Sequence, residues 1–66
     1  MHICVNGQPQ QFEEKTVLKE LLDQLNIDQN GLAVAINSTV IPRAQWSEIT
    51  LENNDSVMLI RATQGG

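Results

Sequence analysis

A single cysteine, Cys4, among 66 residues leaves nothing for an intramolecular disulfide to join. It also removes four-thiolate zinc or iron–sulfur ligation within one chain. Cys4 lies in an apolar, strand-like run with no base or positive cluster near it in sequence, so it reads as a small buried hydrophobe and not as a reactive thiol. Cations are scarce too: four Lys and Arg stand against eight Asp and Glu, a net charge of −4. That balance excludes the basic footprint nucleic acid requires and the polybasic surface anionic membranes attract. A basic protein partner suits it better, because complementary charge steers encounter. The first residues, Met1-His2-Ile3-Cys4, carry no basic segment followed by a long apolar region, so neither a signal peptide nor a membrane span is expected and the expected location is the cytoplasm. No Gly-rich phosphate loop, Walker lysine or GxGxxG turn is present. His2 is the one histidine, without a second ligand type beside it, and reads as an exposed strand residue. The acidic residues are scattered singly, as on a solvated surface, and suggest neither a metal site nor a carboxylate pair.

What is there is a small domain with a regular alternation of elements. A chain of this length buries only about 60% of its unfolded surface, which leaves little room for a deep private active site. Function is expected on the surface or at a terminus. Met1, Ile3 and Val5 alternate with His2 and Cys4 as a half-buried strand does. Asn6-Gly7 is a strong hairpin signal, since both residues accept positive φ. Pro9 cannot donate to a ladder, so the return strand is expected from about Gln10 to Glu13, with Phe12 inward. Thr16 is the expected helix N-cap; Lys19 three residues on gives no capping box. Leu18, Leu21, Leu22 and Leu25 then form one apolar stripe, with Lys19, Glu20, Asp23 and Gln24 on the other face. Asn26 and Asp28-Gln29-Asn30-Gly31 end the helix.

Leu32–Ile36 reads as a central strand, turned by Asn37-Ser38-Thr39 into Val40-Ile41. Pro42 interrupts, and Arg43-Ala44-Gln45-Trp46 suits a single helical turn. Trp46 with Arg43 has the composition of a binding anchor, but the one Trp of so small a chain more often fills the edge of the core. The last strand is expected from about Ser56 to Thr63. No internal repeat, charge block or linker marks a second domain. The order predicts an α+β domain with one helix across a mixed sheet, the first and last strands pairing in parallel.

The last strand is apolar on both faces. With Val57 and Leu59 toward the helix, Met58 and Ile60 face away. Together with Ile41 they are expected to form an exposed patch that docks a partner, unless a loop covers them; accessibility decides between the two. Beyond that strand the sequence closes on Gly65-Gly66, an ending that a random chain shows roughly once in 200. Glycine tolerates almost any backbone geometry, so such a tail can thread a narrow slot and present its carboxylate to chemistry there. The alternative is a frayed terminus without a role. A carboxylate is ionised at neutral pH and a poor electrophile, so it needs activation as an acyl adenylate or similar. That step takes ATP and magnesium, for which this chain offers no binding motif, and the activating site is expected on another protein. The chain is then a carrier and substrate, not an enzyme.

The β-grasp order, the Gly65-Gly66 end and the segment Ala35-Ile36-Asn37-Ser38-Thr39-Val40-Ile41-Pro42-Arg43-Ala44-Gln45-Trp46 together resemble the ThiS family, the ubiquitin-like sulfur carriers of thiamin biosynthesis. The resemblance covers essentially the whole chain. It implies a ubiquitin-like β-grasp domain over residues 1–63, with a mixed sheet of four or five strands and one main helix packed across it, and a flexible tail over 64–66. It implies that a ThiF-type adenylating enzyme activates the Gly66 carboxylate with ATP and magnesium, none of which this chain holds itself. Sulfur drawn from cysteine through a desulfurase then leaves a thiocarboxylate on Gly66, and a ThiG-type thiazole synthase takes that sulfur. Gly65 and Gln64 would enter the partner sites with Gly66, and the face carrying Met58, Ile60 and Ile41 would supply recognition. Two other readings stand beside it. One is the small subunit of molybdopterin synthase, with the same terminal chemistry but usually a longer chain; the other is a plain β-grasp interaction module or a modifier joined to lysines.

Overall fold

In the computed structural model, residues 1–61 are described. Strand β1 (His2–Val5) turns into β2 (Gln8–Gln11), helix α1 (Leu18–Gln24) follows, and then β3 (Leu32–Ile36), β4 (Thr39–Ile41), a 3₁₀ turn (Arg43–Gln45) and β5 (Ser56–Arg61). The five strands form one sheet in the order β2-β1-β5-β3-β4. β1 and β5 run parallel, with Cys4 opposite Ser56 and Val5 opposite Val57, while the other pairings are antiparallel. One helix over a five-stranded mixed sheet is the α+β, β-grasp arrangement. The tail residues Gln64, Gly65 and Gly66, the boundary expected at residue 63, and the last two residues of the expected final strand lie outside the described residues.

Both hairpins close through two residues with left-handed backbones, the geometry whose twist matches that of the flanking strands. In the first, Asn6 and Gly7 have φ of 50° and 83°. In the second, Asn37 and Ser38 have φ of 49° and 73°, and Thr39 already belongs to β4. The tight first turn starts β2 at Gln8, two residues earlier than expected, and places Pro9 inside it. Pro9 is tolerated because β2 is an edge strand that, among the described residues, pairs with β1 alone. Phe12 is buried just past the strand end, and its N–H donates to the Met1 carbonyl at 2.9 Å.

The helix begins differently from the expectation. Val17 is the N-cap, and the Thr16 hydroxyl donates backward to the Glu13 carbonyl at 2.7 Å. The segment after the 3₁₀ turn makes a side-chain cap unnecessary. Leu18 N–H donates to the Ile49 carbonyl at 2.9 Å and Lys19 N–H to the Trp46 carbonyl at 3.0 Å. The Glu20 carboxylate accepts from Val17 N–H at 2.9 Å, the carboxylate half of a capping box set one residue later than Thr16 would place it. Leu51 N–H, donating to the Thr16 carbonyl at 2.9 Å, completes a clasp between the helix start and residues 46–51. Leu18, Leu21 and Leu22 are fully buried against Ile3, Val34 and Val57 of the sheet, with Leu25 half-buried at the margin.

Asn37 carries more of the sheet than its exposure suggests. Its own N–H donates to the Ser56 carbonyl at 2.8 Å, its Oδ1 accepts from Ser56 N–H at 3.0 Å, and its Nδ2 donates to Asp55 Oδ1 at 2.9 Å. It also holds a left-handed backbone that costs an alanine about 1–2 kcal/mol. Asn37→Gly should therefore lose only the side-chain bonds, about 1 kcal/mol, and Asn37→Ala that amount plus the strain. Urea denaturation of the two variants checks the order; equal losses would mean that the turn is not strained.

Candidate functional site

The register sorts side chains onto two faces of the sheet. Ile3, Val5, Val34, Ile36 and Val57 point to α1 and are buried. The opposite face receives His2 and Cys4 from β1, Ala33 and Ala35 from β3, Val40 from β4, and Ser56, Met58 and Ile60 from β5. No second helix exists among the described residues to cover this face. Met58 is 50% exposed and Ile60 53%. Accessibility thus decides between the two alternatives left by the sequence: among the described residues no loop covers either side chain.

Ile41 does not join them. It lies opposite Val34, on the helix side, half-buried against the core. The outward position on β4 is Val40, 71% exposed, which sits opposite Ala35, itself opposite Met58. The error is one of register: in a strand with period two, moving by one residue exchanges the faces. Pro42 hid the phase by cutting the apolar run short. Small residues set the relief of the patch. Ala35 lies between Val40 and Met58, and Ala33 beside Ile60, so the three large side chains stand around a low floor.

Trp46 is core. It is 2% exposed, its indole N–H donates to the Ile41 carbonyl at 3.0 Å, and the Arg43 guanidinium covers its ring at 5.3 Å from the centroid. Much of the segment from Ala35 to Trp46 is in this way explained by folding: an inward Ile36, a left-handed Asn37, a carbonyl on Ile41 for the indole, and a cation over the ring. Arg43 also donates to the Gln29 carbonyl at 2.9 Å, and Arg61, the last described residue of β5, donates to the Asn30 carbonyl at 3.1 Å. Two of the four basic side chains thus anchor one loop. Lys19 pairs with Asp23 one helical turn on, at 3.1 Å.

Cys4 is half-buried on the outer face. Among the described residues no three His, Cys, Asp or Glu side chains converge to hold a metal, no pocket is found, and no helix is long and apolar enough to cross a membrane. The arrangement can bind through an apolar sheet face. Sequence reasoning missed Val40, although its alternation with Ile41 carried the signal.

The sequence model of the ThiS family matches residues 3–66. The chain belongs to the ThiS family. It is 36% identical over 66 residues to the sulfur carrier protein ThiS of Escherichia coli (strain K12), with all of both chains covered. The crystal structure of the thiamine biosynthesis protein ThiS from Geobacter metallireducens superposes with a TM-score of 0.88 at 29% identity, again over the full length of both. A third similarity is of another kind. The whole chain matches part of a thiazole synthase from Magnetococcus marinus at 30% identity, spanning 20% of that protein's length. ThiS membership places the chain among small sulfur carrier proteins of thiamin biosynthesis, not among catalysts.

The division into core and exposed face has a direct consequence. Met58→Ser and Ile60→Ser should each change stability by no more than about 0.5 kcal/mol, the range for surface substitutions, whereas Trp46→Ala should cost about 3–5 kcal/mol. Thermal unfolding of the three variants checks this. A large loss at Met58 or Ile60 would show that the outer face is part of the folding core.

Proposed function

We propose that the chain carries sulfur as a thiocarboxylate on Gly66, within a β-grasp body over residues 1–63 and a tail over 64–66. The observation that carries this reading is the match to the ThiS family along residues 3–66, through the Gly65-Gly66 end. A partner adenylating enzyme of the ThiF type binds ATP and magnesium and joins the Gly66 carboxylate to AMP, releasing pyrophosphate. The persulfide that a cysteine desulfurase forms from cysteine then displaces AMP to give an acyl disulfide. A thiol such as excess cysteine cleaves it, leaving as a disulfide and exchanging one carboxylate oxygen of Gly66 for sulfur. The nucleotide and metal stay with the partner. Gly65 and Gln64 pass into the partner's site with Gly66, where a Cβ on either glycine would narrow the fit.

A thiazole synthase of the ThiG type is the proposed acceptor. The support is the segment of the Magnetococcus marinus thiazole synthase that resembles this entire chain, a sign that the carrier unit and the synthase act together. The cytoplasm, where these partners and their small-molecule substrates meet, is the proposed location. The outer face with Met58, Ile60 and Val40 is the proposed docking surface for both partners. Apolar side chains standing on a flat sheet lose water on contact, and a few of them usually carry most of the binding energy.

Intact-mass spectrometry after incubation with ATP, magnesium, a ThiF-type enzyme, a cysteine desulfurase and cysteine tests the reading. The expected product has one oxygen replaced by sulfur at Gly66, and a chain lacking Gly66 gives none. Met58→Ser combined with Ile60→Ser should weaken capture by the adenylating enzyme by about tenfold or more, as loss of an interface anchor worth over 1 kcal/mol does. An unmodified mass, with a known carrier reacting in parallel, would overturn the sulfur-carrier reading and favour a plain interaction module.

A further inference from the structure

The sequence contains the dipeptide Asn-Gly twice, as Asn6-Gly7 and Asn30-Gly31. In an unfolded chain the two are chemically alike. In each, the glycine amide nitrogen can attack the asparagine side-chain carbonyl carbon, because no side chain on the glycine obstructs the approach. The fold separates them. Asn6 is held on three sides: its N–H donates to the Val57 carbonyl at 2.9 Å, its Oδ1 accepts from Leu59 N–H at 2.8 Å, and its left-handed backbone is locked in the two-residue turn between β1 and β2. The ring closure would have to break the bond to Leu59 and rotate the side chain within that turn.

Asn30 is fixed only through its backbone. Its N–H donates to Asp28 Oδ1 at 3.0 Å and its carbonyl accepts from Arg61, while its side chain makes no hydrogen bond among the described residues and is exposed. It sits in the loop between α1 and β3, outside any strand ladder, and Gly31 follows with φ of 68°. Exposed loops open locally at far lower cost than paired strands. Asn37-Ser38, where the following side chain is also small, has both ends of its side-chain amide bonded.

We propose that Asn30 is a site of spontaneous deamidation in the folded protein and that Asn6 is protected by the fold. The Gly31 nitrogen forms a bond to Asn30 Cγ, the bond from Cγ to the side-chain nitrogen breaks, and that nitrogen leaves as ammonia, giving a five-membered succinimide. Water then opens either carbonyl of the ring, leaving aspartate or isoaspartate at position 30. Water is consumed, ammonia is released, and nothing is oxidised or reduced. Both products add a negative charge beside the Arg61 contact, and isoaspartate also lengthens the backbone between the Asp28 and Arg61 anchors. The loop steadied by Arg61, at the end of β5, is thus altered by the ageing of one side chain.

The test is peptide mapping of the full chain incubated at mildly alkaline pH, with isoaspartate distinguished from aspartate by fragmentation. In the folded protein, conversion at Asn30 should run several-fold ahead of conversion at Asn6, and in urea the two should approach one rate. Asn30→Gln, which keeps an exposed amide but disfavours the ring, should remove the fast component without changing the unfolding midpoint. Equal rates at Asn6 and Asn30 in the folded protein would overturn the proposal. So would an Asn30 that stays intact when folded but converts readily in urea.

Discussion

The parallel pairing of β1 with β5 is the constraint on which the rest of this structure depends. Parallel neighbours cannot be joined by a tight turn, so everything from Asn6 to Asp55 is the crossover between them. That crossover must return to the sheet with its apolar stripe inward, and α1 does so with Leu18, Leu21 and Leu22. Pairing is short, two residues in register, so side chains extend it. Asn6 continues the ladder where β1 has already turned away, its Oδ1 accepting from Leu59 N–H. Asn37 does the same at the other end, bracketing Ser56 from the β3–β4 turn. β5 therefore lies between two strands and two asparagine clamps, and the chain leaves it toward Gly65-Gly66.

Much of this was legible because several local signals agreed. Asn6-Gly7, the leucine stripe, the apolar run of β3 and the paired faces of β5 each predicted their element independently, and the fold satisfies them together. What escaped was information held in tertiary contact. Thr16 has the chemistry of an N-cap, yet the carbonyls of Trp46 and Ile49 reach the first helical amides instead, and no local pattern announces that. Pro9 suggested a late strand, but its place at an edge, known only once the strand order is known, removes the objection. The exposed apolar face was legible on β5 and misphased on β4. A six-residue strand displays its alternation, whereas a three-residue strand next to a proline does not. The segment from Ala35 to Trp46 was informative for family membership, and Ile36, Asn37, Ile41, Arg43 and Trp46 within it serve folding while Val40 faces outward.

The same sheet that holds the domain together leaves one side bare, and the two facts have one cause. A domain of this size has a single main helix, which can cover only one face of five strands. Evolution of a larger core would have needed a second layer. Here the uncovered face combines large residues at Val40, Met58 and Ile60 with small ones at Ala33 and Ala35, so exposure is confined to a few positions while the strand between them stays well paired. Rigidity beneath an apolar contact matters, because a surface that need not reorganise loses less entropy on binding.

Charge completes the division of labour. Lys19 is paired with Asp23, and Arg43 and Arg61 are tied to the carbonyls of Gln29 and Asn30. Three of the four cationic side chains are thus engaged within the fold, while the excess of acidic groups is spread over the surface of a chain with net charge −4. Such a field acts at a distance of about a Debye length and governs how quickly a basic partner is met; it adds little to a formed contact. An exposed apolar face, by contrast, acts only on contact, where it sets how long an encounter lasts. Under the proposed function, in which one protein loads the carrier and another empties it, this separation is an advantage, since a small patch would hold each partner briefly while charge brings the next one in.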